Sequence, residues 1–287
     1  YIAGKVETVP GSPAVPMGLA YQGGQITCKA QGKNLARASE LALYLPLFVM
    51  IAGGHKALVE HARYRRRFMD WGVFHVEHNF LGQWQRYNRA LKQRNSALAQ
   101  GTNEQVWEKE LLGAAEALHY ARLAYLENLR PAFQAAAEAL GLKGITLRYH
   151  PGWVDEEGYP AALERSRRGD RLAGITRVGP HRADLEFQCG KRDVRDFLSA
   201  GQQKLLYYAL SSALLAVYYQ HSGKGCTVLI DDIGAELDAL NRRKALEIMS
   251  NLHAQLFVTA IEAQDIDKAH AKMFHVEQGI VREGDNN

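Results

Sequence analysis

Two short runs in this sequence place reactive residue types at spacings that chemistry can use. The first is Val228-Leu229-Ile230-Asp231-Asp232, an apolar, β-branched run closing on two adjacent carboxylates, followed by Ile233-Gly234-Ala235-Glu236-Leu237-Asp238. Open parallel sheets bind ligands at the carboxyl ends of their strands, so a carboxylate there can meet a metal-bound phosphate. In that reading Asp231 holds Mg²⁺ through water and Asp232 stands where a base orients the attacking water of phosphoryl transfer. Asp238 then caps the next helix or contacts a second subunit. The plainer alternative is that Asp231 and Asp232 only end a strand and begin a turn, which acidic residues often do. The second run is Phe197-Leu198-Ser199-Ala200-Gly201-Gln202-Gln203-Lys204, a small-residue loop opening a helix. Ser199 alone is an ordinary N-cap. With free amides at Ser199 and Gly201, the positive end of a helix becomes an anion site.

The elements that must position these runs are readable from periodicity. Tyr1 to Val6, Met17 to Gln22 and Gln25 to Lys29 read as short strands, broken by a Pro/Gly stretch at Pro10 to Pro16 and a Gly23-Gly24 turn. From Leu35 to about Gly141 the pattern turns helical, with Leu111, Ala115, Leu118, Tyr125 and Leu129 at helical steps. Pro131 is expected to kink or divide the last of these helices, and Gly141 to stop it. Strands return at Ile145 to Tyr149, Gly174 to Val178, Leu185 to Gln188 and Asp193 to Leu198. A helix follows from Gln202 to about Tyr219. Thr227 to Ile230 has the unalternated look of a buried parallel strand. A helix at Asp238 to Leu252, a strand at Gln255 to Thr259 and two short strands at Phe274 to Val276 and Gly279 to Val281 complete an α/β pattern.

Composition bounds the function classes. The 287 residues are 47% hydrophobic, enough for a sizeable core in one large or two ordinary domains. No apolar run approaches a membrane span and the start lacks the layout of a signal peptide, so the expected address is the cytoplasm. Cys28, Cys189 and Cys226 have no metal-ligand spacing and read as reduced core residues. A formal net charge of +4 is too small to imply nucleic acid by itself. Its distribution says more. Arg63, Arg65, Arg66 and Arg67 form one cluster, Arg165, Arg167, Arg168 and Arg171 another, and Arg86, Arg89 and Lys92 step round a helix. Arg65, Arg66, Arg67, Arg86, Arg89, Lys92, Arg167 and Arg168 are therefore the candidates for DNA phosphates. The competing reading is a solvated face, or, for Arg65 to Arg67, pairing with Asp70 and Glu77 along the helix.

Taken in order, LSAGQQK, VLIDDIGAELD and LFVTA resemble the ATP-cassette head of the ABC/SMC class. Gly179-Pro180-His181-Arg182-Ala183-Asp184, Arg65-Arg66-Arg67-Phe68-Met69-Asp70-Trp71-Gly72-Val73-Phe74-His75 and Leu91-Lys92-Gln93-Arg94-Asn95 narrow it. With them the chain is similar, over nearly its whole length, to the RecF family of bacterial DNA-repair proteins. The resemblance implies an α/β ABC-type ATPase head of the P-loop NTPase fold, made of residues 1–36 and 145–287, with a helical lobe inserted at 37–144. It implies that Leu198, Ser199, Gly201 and Gln202 form the signature loop gripping the γ-phosphate of ATP held by a second subunit. Asp231 matches the metal-site aspartate, Asp232 the catalytic carboxylate, and Asp238 the loop that meets its counterpart across an ATP-dependent homodimer. It further implies ATP and Mg²⁺ as cofactors, slow hydrolysis, and binding of duplex and gapped DNA. RecR and RecO are the implied partners in loading RecA at single-strand gaps, with a place in the SOS response.

Two departures qualify the match. Thr259-Ala260 follows the last core strand where many ABC proteins place a switch histidine, and His181 and His275 are poor substitutes by position. No G-x-x-x-x-G-K-[ST] occurs, and Ser222-Gly223-Lys224-Gly225-Cys226 reads as a loop before a strand. The chain, which begins in a strand-like pattern and without methionine, is expected to be truncated before its phosphate cradle and inactive as an ATPase alone. The alternatives are an SMC-like structural ATPase, which about 105 helical residues make too short for a long coiled coil, and a remnant without ATPase function.

Overall fold

The computed structural model describes residues 1–7, 11–233, 237–262, 266 and 271–284. Pro10 of the Pro/Gly stretch and Gly234-Ala235-Glu236 of the acidic run lie outside the described residues.

The N-terminal strands β1 (Ile2–Val6), β2 (Val15–Gln22), β3 (Gln25–Ala30) and β4 (Lys33–Leu35) form an antiparallel meander in sequence order. Gly23 and Gly24, both at positive φ, make the two-residue β2–β3 turn with Gln22 opposite Gln25. After the short helix α1 (Leu41–Tyr44) the chain enters β5 (Leu47–Met50), a strand in a segment expected to be helical. Four apolar residues suit a buried strand or a buried helical turn equally well, and the tertiary partner decides. That partner is β9 (Cys226–Ile230), which pairs in parallel with β5 on one side and with β10 (Ala254–Val258) on the other. The expected central parallel strand is therefore present. Its residues Cys226, Val228 and Ile230 are buried against the helices.

The helical lobe contains α2 (Gly54–Glu60), α3 (Ala62–Val76), α4 (Phe80–Gln100) and α5 (Glu108–Ala139). α5 runs unbroken through Pro131, so the expected division does not occur. Pro131 is exposed while Leu129, Phe133 and Ala137 are buried, so the carbonyl freed by the proline lies on the wet side and the packed face is intact. A second antiparallel sheet, β6 (Ile145–His150), β7 (Asp184–Cys189) and β8 (Arg192–Asp193), follows, with α6 (Gly158–Ala173) between its first two strands. The strand expected at 174–178 is irregular backbone. Its amides bond to side chains, Thr176 N to Asn95 and Arg177 N to Asp170, instead of to a neighbouring strand. Asp193 to Leu198 is strand only at its start. α7 (Ala200–Ser222), α8 (Ala239–Ser250) and the hairpin β11 (Phe274–Glu277) with β12 (Ile280–Glu283) complete the described elements.

One continuous hydrophobic core joins sheet and lobe, from Phe48 and Met50 through Phe68, Leu126 and Phe133 to Leu206, Val228 and Met249. All three cysteines are free; burial pushes the Cys226 thiol up to about 12 and leaves it inert.

Candidate functional site

At the carboxyl edge of the parallel sheet the chain turns sharply. The Asp231 amide donates to Met50 O at 2.9 Å, extending the β5 pairing by one bond, and Asp232 adopts φ 49°, a left-handed conformation that Asp tolerates better than most residues. Thr259, just past β10, fixes this corner. Its hydroxyl donates to Asp231 Oδ1 at 3.0 Å and accepts from the Asp232 amide at 2.8 Å, while its carbonyl accepts from Ile233 N at 3.1 Å. The two carboxylates are thus placed by a threonine that sequence reasoning noted only for the histidine missing after it. Ala260 follows, so the expected absence of an imidazole at that position stands as sequence. Asp238 caps α8, accepting from Asn241 N at 2.9 Å and Asn241 Nδ2 at 2.7 Å. The Asn241 backbone N–H holds its carboxyl below the usual range.

The second run forms the N-terminus of α7. Ser199 Oγ accepts from Gln202 N at 3.3 Å and Gln202 Oε1 accepts from Ser199 N at 3.0 Å, a reciprocal capping box. Gln203 Nε2 closes onto Leu198 O at 3.1 Å, and Leu198 is buried beneath the loop. Ser199 and Gln202 are exposed and Gly201 is half-buried. Both bonds of the Ser199 cap run to Gln202, none to the carboxylate pair. Their separation follows from the helix. The Tyr207 hydroxyl bonds to the Ile51 backbone at the end of β5, level with the Asp231 corner. Ser199 lies eight residues earlier, about 12 Å further along the axis at the helical rise. The α7 amides therefore project past the sheet edge of their own chain.

The donor set at the corner is all oxygen: Asp231, Asp232 and the Thr259 hydroxyl. Hydrated Mg²⁺ takes such ligands, and Asp231 is exposed enough to receive it. The sequence contains no G-x-x-x-x-G-K-[ST], so the residues present fit half of a nucleotide site, the metal corner and the α7 amides, without a cradle for the β-phosphate.

The arginine candidates divide. Arg65 is a correction: it is 5% exposed and committed to the fold. Its Nε and Nη2 donate to the two Asp184 oxygens at 2.8 Å, and Nη1 donates to Leu58 O and Val59 O. No phosphate can reach it. Its partner is neither Asp70 nor Glu77; Asp70 instead receives Arg122 at 2.9 and 3.0 Å. Arg66 is half-buried and donates to Ala183 O; burial, then Arg122, holds its pKa down. Arg167 lies between Glu108 and Glu164. Arg86 is exposed but bidentate to Glu110. Arg67, Arg89, Lys92 and Arg168 are exposed.

The three narrowing motifs meet in space. Arg65 and Arg66 of α3 hold Asp184 and Ala183, and Arg122 of α5 bridges Asp70 to Pro180 O at 2.9 Å. Gly152 presses against this segment so closely that a Cβ there would lie 2.2 Å from Gly179 O. His181 accepts at Nδ1 from the Tyr87 hydroxyl at 2.6 Å and donates from Nε2 to Thr176 O at 3.1 Å. Arg94, fully buried, holds Asp170 and Thr176 at 2.8 and 2.7 Å. The Gly179–Asp184 segment is thus a structural buckle, and His181 has no route to the Asp231 corner through these bonds.

A parallel sheet closing on paired carboxylates, with a serine-capped helix returning along it and a helical lobe inserted between its strands, defines the class: an ABC/SMC-type ATPase head of the P-loop NTPase fold. The chain is 36% identical over 291 residues to the DNA replication and repair protein RecF of Pseudomonas fluorescens (strain SBW25), covering 98% of this chain and 79% of that one. It is 38% identical over 283 residues to the RecF of Chromohalobacter salexigens, covering 94% and 78%. The chain belongs to the RecF family of DNA replication and repair proteins. No protein-family model matches it. In fold it is similar to the recombination mediator protein RecF in the RecFOR pathway, solved as RecF-ATPrS and RecF-ATP. The TM-scores are 0.81 and 0.80 at 20% identity, covering 98% of this chain and 79% and 80% of those. Among the described residues no helix is long and apolar enough to cross a membrane.

Proposed function

We propose that this chain is the body of a cytoplasmic, ATP-dependent DNA clamp that dimerises head to head around two nucleotides and binds duplex and gapped DNA. The observation that carries the reading is the projection of the capped α7 terminus beyond its own Asp231 corner, which suits amides that serve a nucleotide held by a second subunit. Leu198, Ser199, Gly201 and Gln202 form that contact, and Asp238 meets its counterpart across the dimer. Asp231 holds Mg²⁺ through water; when bound, the ion neutralises charge on the phosphate oxygens. Asp232 orients the attacking water, and Thr259 fixes both carboxylates. Hydrolysis is slow and resets the clamp. RecR, and through it RecO, are partners in loading RecA at single-strand gaps, within the SOS response. In this reading residues 1–36 and 145–287 build the head and 37–144 the helical lobe, with β5 returned to the head. Arg66, Arg67, Arg86, Arg89, Lys92, Arg167 and Arg168 remain the DNA candidates, those already in ion pairs contributing least.

The test uses a form of the protein that carries a cradle for the nucleotide phosphates. Ser199→Arg is expected to bind ATP normally yet fail to dimerise with it, as read by light scattering. Asp232→Asn is expected to bind and to accumulate the dimer, because Asn tolerates the left-handed φ but cannot act as the base. Dimerisation of Ser199→Arg with ATP at wild-type strength refutes the cross-subunit role.

A further inference from the structure

The sequence Phe80–Gln100 of α4 contains four cations and no carboxylate. Phe80, Tyr87, Ala90, Arg94, Ala97 and Leu98 face inward. The outward arc carries Trp84, Gln85, Asn88, Arg89, Lys92 and Gln93. Arg86, at its margin, is held by Glu110; Arg89 and Lys92 are exposed, with no ion pair among the described residues beyond a distant pull of Arg89 on Glu110. Arg37, also exposed, donates to Gln85 Oε1 and adds a cation beside the same stripe. Trp84 is 43% exposed, and among the described residues no ring stacks on its indole. Successive positions Trp84, Asn88 and Lys92 line up at one-turn intervals, about 6 Å apart.

We propose that this face of α4 takes the unpaired strand of a gapped DNA, Trp84 stacking on a base while Arg37, Arg89 and Lys92 take phosphates. The inference rests on the DNA-binding reading above and adds the surface that distinguishes a gap from a duplex. A phosphate backbone needs only cations, and those of a duplex offer no free base face. An indole displayed among cations and amide side chains matches an unstacked base, whose π-face is available only where pairing has ended. An apolar protein partner fits poorly, because Trp84 is flanked along the chain by Gln83 and Gln85 and along the helix by Asn88, not by further exposed apolar residues. With no carboxylate on α4, no charge of this helix repels a phosphate backbone.

The experiment measures anisotropy of a labelled oligo(dT) strand and of a fully paired duplex of equal length, in the presence of ATP, with the cradle-bearing form used in the dimerisation test. Trp84→Ala is expected to weaken oligo(dT) binding by about ten-fold or more with duplex affinity unchanged, and Trp84→Phe to restore most of it. Arg89→Ala with Lys92→Ala is expected to flatten the single-strand salt slope by about 0.7 per lost contact. Unchanged oligo(dT) affinity in Trp84→Ala, or equal loss for both DNAs, overturns the proposal, as does duplex binding by a wild-type chain that ignores oligo(dT). If the wild type binds neither, the DNA reading falls with it. Should Trp84→Ala lose its helical circular dichroism, the Phe variant and the Arg89/Lys92 pair still decide between these outcomes.

Discussion

A single hydroxyl, that of Thr259, bonds to both residues of the carboxylate corner, and its loss exposes what it holds. Thr259→Val keeps the shape of the side chain but leaves the Asp232 amide without its acceptor and Asp231 without a donor. It is expected to cost roughly 1–2 kcal/mol in urea unfolding, with Thr259→Ser close to wild type. The strand and the two carboxylates that close it were legible in the sequence, because an unalternated β-branched run marks a buried parallel strand. The threonine was not, since its partners are 28 and 27 residues away and only the β9–β10 register brings it opposite them. Two histidines make a second residue-scale prediction. Burial pushes His75, boxed by Trp71, Phe74 and Tyr218, and His181 down to about 4. A depressed histidine pKa means that the unfolded chain binds the proton more readily. The neutral rings therefore contribute fully above about pH 6.5, and the contribution fades as pH falls toward 4. Each is expected to withdraw roughly 2 kcal/mol of stability between pH 7 and 5. His75→Phe, which keeps the aromatic box, should recover its share in paired urea titrations; an equal acid loss in the variant assigns the sensitivity elsewhere.

At the scale of elements, the arginine run of α3 shows why a charge cluster resists reading from sequence. Arg65, Arg66 and Arg67 are adjacent, yet a helix turns each by about 100°, so one enters the core, one lies along its margin and one meets water. Which is which depends on the Ala183-Asp184 segment, and nothing near α3 in the sequence announces it. Arg65→Ala leaves Asp184 without its bidentate partner and is expected to cost about 3–5 kcal/mol. Arg67→Ala should stay within about 0.5 kcal/mol. Chemical denaturation of the two variants checks both values, and equal costs would contradict the placement of α3. The same physics explains β5 and Pro131. A four-residue apolar run carries too little periodicity to choose between strand and helix. A proline on the wet side of a packed helix loses one bond that water replaces, so the 32 residues of α5 continue where a helix breaker was expected. The start of α7, by contrast, was readable from its serine, because an N-cap is satisfied by near neighbours in the chain; the reciprocal bond from Gln202 emerges from the structure.

For the whole molecule, the total of 35 lysines and arginines overstates the surface on offer to a polyanion, since some arginines are already committed inside. Arg65, Arg94 and Arg122 are buried with carboxylates, so the cations left for DNA are fewer than the sequence total suggests. Duplex affinity is expected to fall with salt, and Arg67→Ala and Arg168→Ala should each lower the log–log slope by about 0.9 if they contact phosphate. Arg86→Ala, which frees Glu110, should change the slope less. An unchanged slope for Arg67 and Arg168 would move the duplex surface elsewhere on the molecule.

The buckle between α3 and the Gly179–Asp184 segment also sets a timetable. Arg65 and Asp184 are 119 residues apart in the chain. A ribosome adding about 5–20 residues per second delivers the second partner roughly 6 to 24 s after the first. The helices of the lobe can form during that interval, but the Arg65 guanidinium has no carboxylate to enter the core with and must stay hydrated. β5 waits longer still, because its partner β9 emerges 180 residues later. Packing between the lobe and the Gly179–Asp184 segment is therefore completed only when the second half of the chain arrives, and for those seconds the apolar faces that it covers stay in water.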